Sequence, residues 1–336
     1  MDKLNDNSFI KLIERIDYLT KYNLKYTCKK IKNRIEKLHL DEILDLRNTK
    51  YGNNNNNIIY KILLKHKNIL TKIILEFQDI NNSHINKFTD KLTYINLNYC
   101  QKIDNDALIH IANTCHNLIH LELYIIPNLS DEGLKQIIMK CPKLIYLNLS
   151  GCSHFGEGSL LLLPQYLPKI EFLDLTRNYD LTDKCLEEIV KGCKDLKHLN
   201  LYALPKLEMN FLKNMNCINL EFLDLCGNQN IIDEHFKKVA EKINNIKSLN
   251  LSWCTGLTDK TIEYMFSENK NQNLELISLH GILGITDKSI NILKNNKGIV
   301  NNLNTIDLVA CSNVKNRDNK YIKNIFKNVE CFQVFF

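Results

Sequence analysis

The feature that most constrains this chain is a spacing. Ile246 to Ile262 reads IKSLNLSWCTGLTDKTI, and its pattern of apolar-x-x-Leu-x-Leu-x-x-Cys recurs along the sequence. The opening apolar residues are Leu92, Leu118, Leu144, Ile170, Leu196, Leu220, Ile246, Leu274 and Leu303. Their step stays close to a repeat length of roughly 26 residues throughout, and chance alternation does not hold register over so many copies. Leu249 and Leu251 alternate about Asn250, which is strand spacing with both leucines on one face. Thr258 then stands as a helix N-cap, with Asp259 in the first turn, where the helix dipole favours negative charge. One unit is therefore a three-residue strand, a turn and a return helix. It buries its apolar side only when copies flank it.

The pattern weakens at both ends. Leu70 (LTKIILEF) opens a poorer unit ahead of Leu92, and Val329 opens a last one beyond Leu303. A still earlier strand is expected in IEKLHL, Ile35 to Leu40. Between it and Leu70 the spacing stretches over Gly52 and the run Asn53–Asn57, which reads as a surface loop. In the unit from Leu196 the helix start is missing (LPKLEMNF), so an irregular return segment is expected there. The 46 asparagines of the chain are read as tolerant surface positions.

Composition excludes several classes. The net charge is +6; residues 1–50 carry 12 Lys/Arg against 8 Asp/Glu, which leaves +2 for the rest, too little for nucleic acid. No apolar run reaches the roughly 18 residues of a membrane span, and MDKLNDNSFIK lacks the order of a signal peptide. Of 12 cysteines, Cys100, Cys152, Cys254 and Cys311 fill the slot after the strand, and Cys115, Cys141, Cys193 and Cys217 each lie just before the next opening leucine. They read as small buried residues in reduced form, in cytoplasm or nucleus. There is no Cys-x-x-Cys pair to suggest zinc, and no cofactor is expected.

The residues flanking each core leucine pair should line a concave wall. Four columns follow, opened by Tyr94, Asn96, Asn98 and Tyr99 and repeated in each unit. Their 36 positions hold four acids, one arginine and no lysine. Such a wall suits a polypeptide, one with basic side chains near Glu122, Asp174 and Asp224. Asn or Asp between the leucines, and Ser before the turn, are habits of the repeat. Units that break the habit are better candidates: Tyr124-Ile125-Ile126, Thr176-Arg177-Asn178-Tyr179 and Tyr202-Ala203-Leu204. The partner-binding set takes Tyr124, Ile125, Arg177 and Tyr202 from these units and adds the wall acids Asp174 and Asp224 and the aromatic Trp253, although Trp253 also fits the habit of the repeat. Nothing on the wall reads as catalytic. His120, His198 and His280 lack a nucleophile in a fixed adjacent position. Cys226 lacks a base, and GCSHFGEG (Gly151–Gly158) is no phosphate loop.

The Leu-x-x-Leu-x-Leu core, the Cys slot and the Thr-Asp helix starts at Thr182-Asp183, Thr258-Asp259 and Thr286-Asp287 resemble the cysteine-containing leucine-rich repeats over about residues 70–336. Ser130-Asp131 is a variant start. Ile126, Asn178, Leu204, Asn228 and Ile282 replace the cysteine. The resemblance implies an α/β fold: a right-handed solenoid with short parallel strands on the concave face and helices on the convex face.

Residues 1–34 lie outside the repeat. Leu4, Phe9, Leu12, Ile13 and Ile16 keep the spacing of an amphipathic helix, with Ser8 or Asp6 as cap. After a break at Thr20–Asn23, Tyr26, Cys28, Ile31 and Ile35 continue a second, basic helix. This order resembles an F-box, including the step Thr27-Cys28-Lys29, although Asn5 stands at the usual proline and Ile31 at the frequent tryptophan. F-box segments directly before cysteine-containing repeats are typical of F-box leucine-rich-repeat proteins. The domain reading is 1–34 F-box-like, 35–69 linker with a degenerate first repeat, and 70–336 solenoid.

That resemblance implies a non-enzymatic, substrate-recruiting subunit of an SCF-type ubiquitin ligase. Leu4, Phe9, Ile10, Ile13, Leu19 and Leu24 would dock the adaptor subunit and, through it, the cullin scaffold. The wall would hold a protein substrate, with no nucleic acid or membrane involved. The alternatives are a repeat scaffold whose N-terminus merely caps the solenoid, or an inhibitor that wraps its target.

Overall fold

The protein is described by a computed structural model that covers residues 5–8, 29–37, 42–47, 56–316, 318–329 and 331–333. Twelve strands occur among these residues, each three residues long. They are β1 (Ile43–Asp45), β2 (Lys72–Ile74), β3 (Tyr94–Asn96), β4 (His120–Glu122), β5 (Tyr146–Asn148), β6 (Phe172–Asp174), β7 (His198–Asn200), β8 (Phe222–Asp224), β9 (Ser248–Asn250), β10 (Leu276–Ser278), β11 (Thr305–Asp307) and β12 (Cys331–Gln333).

The chain divides into two compact units, residues 1–146 and 147–336. In the first, β1 to β4 pair parallel, each with its successor, in the register Leu44↔Ile73, Ile73↔Ile95, Ile95↔Leu121. In the second, β6 to β12 do the same, through Leu173↔Leu199, Leu199↔Leu223, Leu223↔Leu249, Leu249↔Ile277, Ile277↔Ile306 and Ile306↔Phe332. A parallel pair needs a long crossover, and the return helix supplies it. The fold is an α/β leucine-rich-repeat solenoid.

The predicted leucines are the core. Ile95 and Leu97, Leu249 and Leu251, and their counterparts in the other repeats are fully buried. Each return helix adds an i, i+3 or i+4 stripe, as Leu186, Ile189 and Val190 do in Asp183–Gly192. Thr182, Thr258 and Thr286 cap their helices as expected, accepting from the N–H of Cys185, Lys260 and Lys288. The return segment after Leu196 is a 3₁₀ turn, Asn210–Asn214, entered through left-handed Met209.

Three expectations change. Ile35 lies in a helix, Lys29–Lys37, and the first strand comes later, at Ile43–Asp45, where Leu44 and Leu46 supply the buried pair. Ile35 is helical because Ile31 and Ile35 are four apart, which is a helical stripe; both are buried, and residues 38–40 lie outside the described residues. The asparagine run falls partly outside the described residues, yet Asn56 and Asn57 open a helix that continues to His66. At the N-terminus Asn5 caps residues 6–8, its Oδ1 accepting from Ser8 N at 2.8 Å, so neither Ser8 nor Asp6 is the cap. Among the described residues no helix is long and apolar enough to cross a membrane.

Candidate functional site

The wall is organised by its turn. Nine residues, one per repeat, follow the second core leucine and turn the chain with positive φ: Tyr99, Ile125, Gly151, Arg177, Ala203, Gly227, Trp253, Gly281 and Ala310, between 52° and 78°. Phe77 does the same after β2, at 60°. Glycine takes this conformation freely, whereas an L side chain pays about 1–2 kcal/mol. Ile125 is β-branched and is strained most. Gly281 has a second reason: a Cβ there would sit 2.6 Å from the Trp253 ring.

Just inside this row, an Asn or Asp at the end of most strands braces the turn. Asn148 Oδ1 accepts from Ser150 N at 2.9 Å, Asp174 from Thr176 at 2.9 Å, Asn200 from Tyr202 at 3.1 Å and Asp224 from Cys226 at 2.8 Å. These are local turns of the Asx kind. Asp174 and Asp224 also accept from Asn200 and Asn250 in the next repeat, at 3.2 and 2.8 Å. Burial raises both carboxyls above their usual range, against those hydrogen bonds. Their oxygens are engaged in holding the fold. The third column is less open than expected: Asn98, Ser150, Thr176, Cys226, Ser252 and Val309 are all buried, and only its larger side chains reach the surface.

In the first compact unit the face is aromatic. Lys72 Nζ lies 3.9 Å from the Tyr94 ring; Tyr94 stacks on His120 at 3.9 Å and His120 on Tyr146 at 3.6 Å. A second series runs along the turn, with Phe77 stacked on Tyr99 at 4.2 Å and Tyr99 edge-on to Tyr124 at 5.0 Å. Between them sits Glu122. It accepts from Tyr94 OH at 2.7 Å, His120 Nε2 at 2.7 Å, Asn96 Nδ2 at 3.0 Å and Asn98 Nδ2 at 2.8 Å. Burial alone would raise this carboxyl, but the bonds from His120, Tyr94 and Asn98 outweigh it and hold it low. Tyr124 is positioned by its N–H, which donates to Asn98 Oδ1 at 2.8 Å.

The second compact unit repeats the scheme differently. His198 lies between Phe172 and Phe222, at 4.0 and 3.8 Å, and burial lowers its pKa to about 4. Arg177 reaches over Tyr202, 5.5 Å from the ring centre. Trp253 is 50% exposed and leans on His280 at 4.8 Å. Beside the strands, Lys197 pairs with Glu171 and Lys247 with Glu221, both at 2.9 Å; exposed pairs of this kind set charge pattern more than stability.

Of the wall residues proposed from sequence, Tyr124 and Ile125 adjoin one another in the first compact unit. In the second, Arg177 and Tyr202 are in contact and Trp253 is exposed. Asp174 and Asp224 are turn braces. Leu4, Phe9, Ile10, Ile13, Leu19 and Leu24 lie outside the described residues. Sequence reasoning missed Phe77, Glu76 and Lys72, because the repeat from Leu70 was too weak to align into columns.

The cysteine slot has a chemical function. Cys100, Cys254 and Cys311 donate Sγ–H to the carbonyls of Leu75, Leu225 and Leu279 in the preceding repeat, at 3.1, 3.1 and 3.0 Å. Asn178 and Asn228 donate Nδ2–H to Leu149 and Leu201 in the same way, at 3.0 and 2.9 Å, and Gln78 to Leu46 at 3.1 Å. Burial pushes the thiols of Cys100 and Cys254 up to about 12, and that of Cys226 up to about 11. The ten cysteines from Cys100 to Cys311 are free thiols.

No family model matches this sequence, and neither does any curated protein. Among solved structures, a chain of the yeast Rad7 and Elc1 complex is similar over 95% of this chain and 94% of its own, with a TM-score of 0.60 at 18% identity. An internalin C2 from Listeria monocytogenes str. 4b F2365 matches over 68% of this chain and 75% of its own, at 19% identity and a TM-score of 0.38. At these identities the likeness to the yeast chain is one of fold, and that fold is the stacked strand-and-helix repeat described above.

Proposed function

We propose that this chain is the substrate-recognition subunit of an SCF-type ubiquitin ligase. The N-terminal helices dock the adaptor and, through it, the cullin, while the strand faces hold a protein substrate. The chain contributes proximity and no chemistry of its own. The observation that carries the binding half is the wall itself. It presents tyrosine, phenylalanine and tryptophan on strained turns, the side chains that anchor protein interfaces at low entropic cost. It also offers too few cations for a nucleic acid.

The adaptor half rests on the F-box-like order of residues 4–28 directly ahead of the repeats. It is supported by the yeast structure of like fold, which is that of a two-protein complex. The raised, buried thiols suit a reducing cytoplasm or nucleus. Full-length protein is expected to retain a purified SCF adaptor on affinity beads, and Phe9→Ala with Ile13→Ala to release it. Equal retention by the variant, or none by the parent, rejects the ligase reading.

A second reading has one observation in its favour. Ile31 and Ile35 of the helix Lys29–Lys37 are buried, as in a segment that caps a solenoid. On that reading the chain is a repeat scaffold, or an inhibitor, which binds its partner without an adaptor.

A further inference from the structure

The first compact unit carries one continuous row of aromatic rings. Phe77, Tyr99 and Tyr124 come from three successive repeats and form one aromatic rail. Adjacent strands are about 4.8 Å apart, so the rail is on the order of 10 Å long. An extended peptide covers that with about three residues. The outer member, Phe77, is 62% exposed and is held outward by its left-handed backbone at φ 60°. Its N–H is fixed to Asn98 O at 2.9 Å, so this is a braced position.

The charge beside the rail is unbalanced. Glu76 precedes Phe77 and is half-buried, and among the described residues its carboxylate has no hydrogen bond or ion pair. Its pKa is raised, first by burial and then by the charge of Glu122, with Asp45 adding to it and Arg47 opposing it. Arg47 grips Asp45 through Nη2 at 2.6 Å and Nε at 3.1 Å, and Lys72 lies over Tyr94. Glu122 is filled by its four donors. Tyr99 also feels Glu76, after the larger effects of its hydrogen bond with Tyr124, burial and the Tyr124 charge. Elsewhere the chain supplies its own cation over such a ring, as Arg177 does over Tyr202. Glu76 and Phe77 are consecutive in the chain, so a carboxylate and an exposed ring leave the backbone side by side.

We propose that the Phe77–Tyr99–Tyr124 rail with Glu76 is the subsite for an arginine side chain in an extended, basic segment of the protein partner. The guanidinium lies flat on the exposed Phe77 ring and directs its N–H fork at Glu76. Arginine fits better than lysine because it is planar, weakly hydrated and able to bond a carboxylate at two points. The inference rests on the protein-binding reading above and names the partner's chemistry; it does not depend on the adaptor.

The test is a selection of displayed random nonamer peptides on full-length protein, with the enriched peptides then synthesised and measured by fluorescence anisotropy. Three proteins are compared: the parent, Phe77→Asn and Glu76→Gln. Asparagine tolerates the left-handed backbone, so Phe77→Asn removes the ring without straining the turn, and an unchanged melting temperature confirms the fold. The expected result is enrichment of arginine, with affinity about tenfold weaker in each variant and weaker again when the arginine is replaced by citrulline. Acidic or wholly apolar peptides, an empty selection, or arginine peptides indifferent to both variants would each overturn the proposal. Adaptor retention by the same proteins is scored separately, so loss of the ligase reading and loss of this subsite are told apart.

Discussion

At the scale of single residues, the chain uses one device many times: a side chain of one repeat satisfies a backbone carbonyl of the preceding one. Asparagine does much of this. Asn117, Asn128 and Asn313 donate to the carbonyls of Asp90, Gln101 and Leu283 at 2.9, 3.0 and 2.7 Å. Many asparagines are therefore fixed donors at repeat positions, where composition alone suggested tolerance. Two buried ones make a discriminating pair. Asn228 uses both ends of its amide, with Nδ2 on Leu201 O and Oδ1 accepting from Leu204 N at 3.0 Å. Asn178 uses its Nδ2, but its buried Oδ1 has no partner among the described residues. Asn178→Cys keeps the donor and removes the stranded acceptor, so a gain of about 1 kcal/mol is expected in urea unfolding. Asn228→Cys leaves Leu204 N unpaired, and a loss of about 1–3 kcal/mol is expected.

His198 gives a residue-scale prediction with a definite sign. Its folded pKa, about 4, lies below the unfolded value near 6.5. Between these values the unfolded chain binds a proton that the folded chain refuses. Stability is therefore lost as pH falls from about 6.5 to about 4, and no more is lost to this group below that. His198→Phe preserves the stack with Phe172 and Phe222 and removes the proton. The difference in melting temperature between parent and variant should widen across that window; a constant difference from pH 7 to pH 4 contradicts the assignment.

At the scale of elements, the Thr-Asp helix start does two jobs, and only one was legible from spacing. Threonine caps its own helix, as anticipated. The aspartate reaches forward to the next one. Asp259 accepts from Thr286 N at 2.9 Å, from Thr286 Oγ1 at 2.6 Å and from the Ser289 hydroxyl. Asp233 does the same for Thr258 N and Oγ1, at 2.9 and 2.7 Å, and for Thr261 Oγ1 at 2.6 Å. Three bonds outweigh burial and hold Asp233 below the usual carboxylate range. Asp259→Ala is thus expected to cost about 2–3 kcal/mol. Its effect on amide exchange should appear first in the following helix, Asp287–Asn295, and less in its own, Asp259–Phe266. Equal deprotection of both helices would mean that the aspartate serves only the local dipole. In the segment after Leu196 no Thr or Ser stands at the helix start and a 3₁₀ turn takes the place of a helix, whereas Asp233–Val239 forms a helix behind Ile232.

At the scale of the molecule, periodicity carried most of the fold. The alternation of Leu249 with Leu251, copied at a near-constant interval along the chain, determined strand length, parallel pairing and which face is buried. It did so because a unit with one apolar side has nowhere to hide it except against its own copy. The repeat was lost where that alternation was diluted, so the first strand was sought at Ile35 when it lies at Ile43–Asp45. The candidate site was legible only as columns. Tyr124, Arg177 and Tyr202 stand out in the sequence because they break the habit of the repeat, but their partners do not. Whether an acid on the wall is free to bind or already engaged depends on residues a full period away, since a repeat's neighbours in space are not its neighbours in sequence. Packing decided that Asp174 and Asp224 brace turns, that Glu122 is filled by Tyr94, His120 and two asparagines, and that Glu76 has no such donors among the described residues. Burial of an apolar stripe is set by local order, which a sequence displays directly. The balance of charge and hydrogen bonds on a surface is set by which stripes meet, and that exists only once the repeats are stacked.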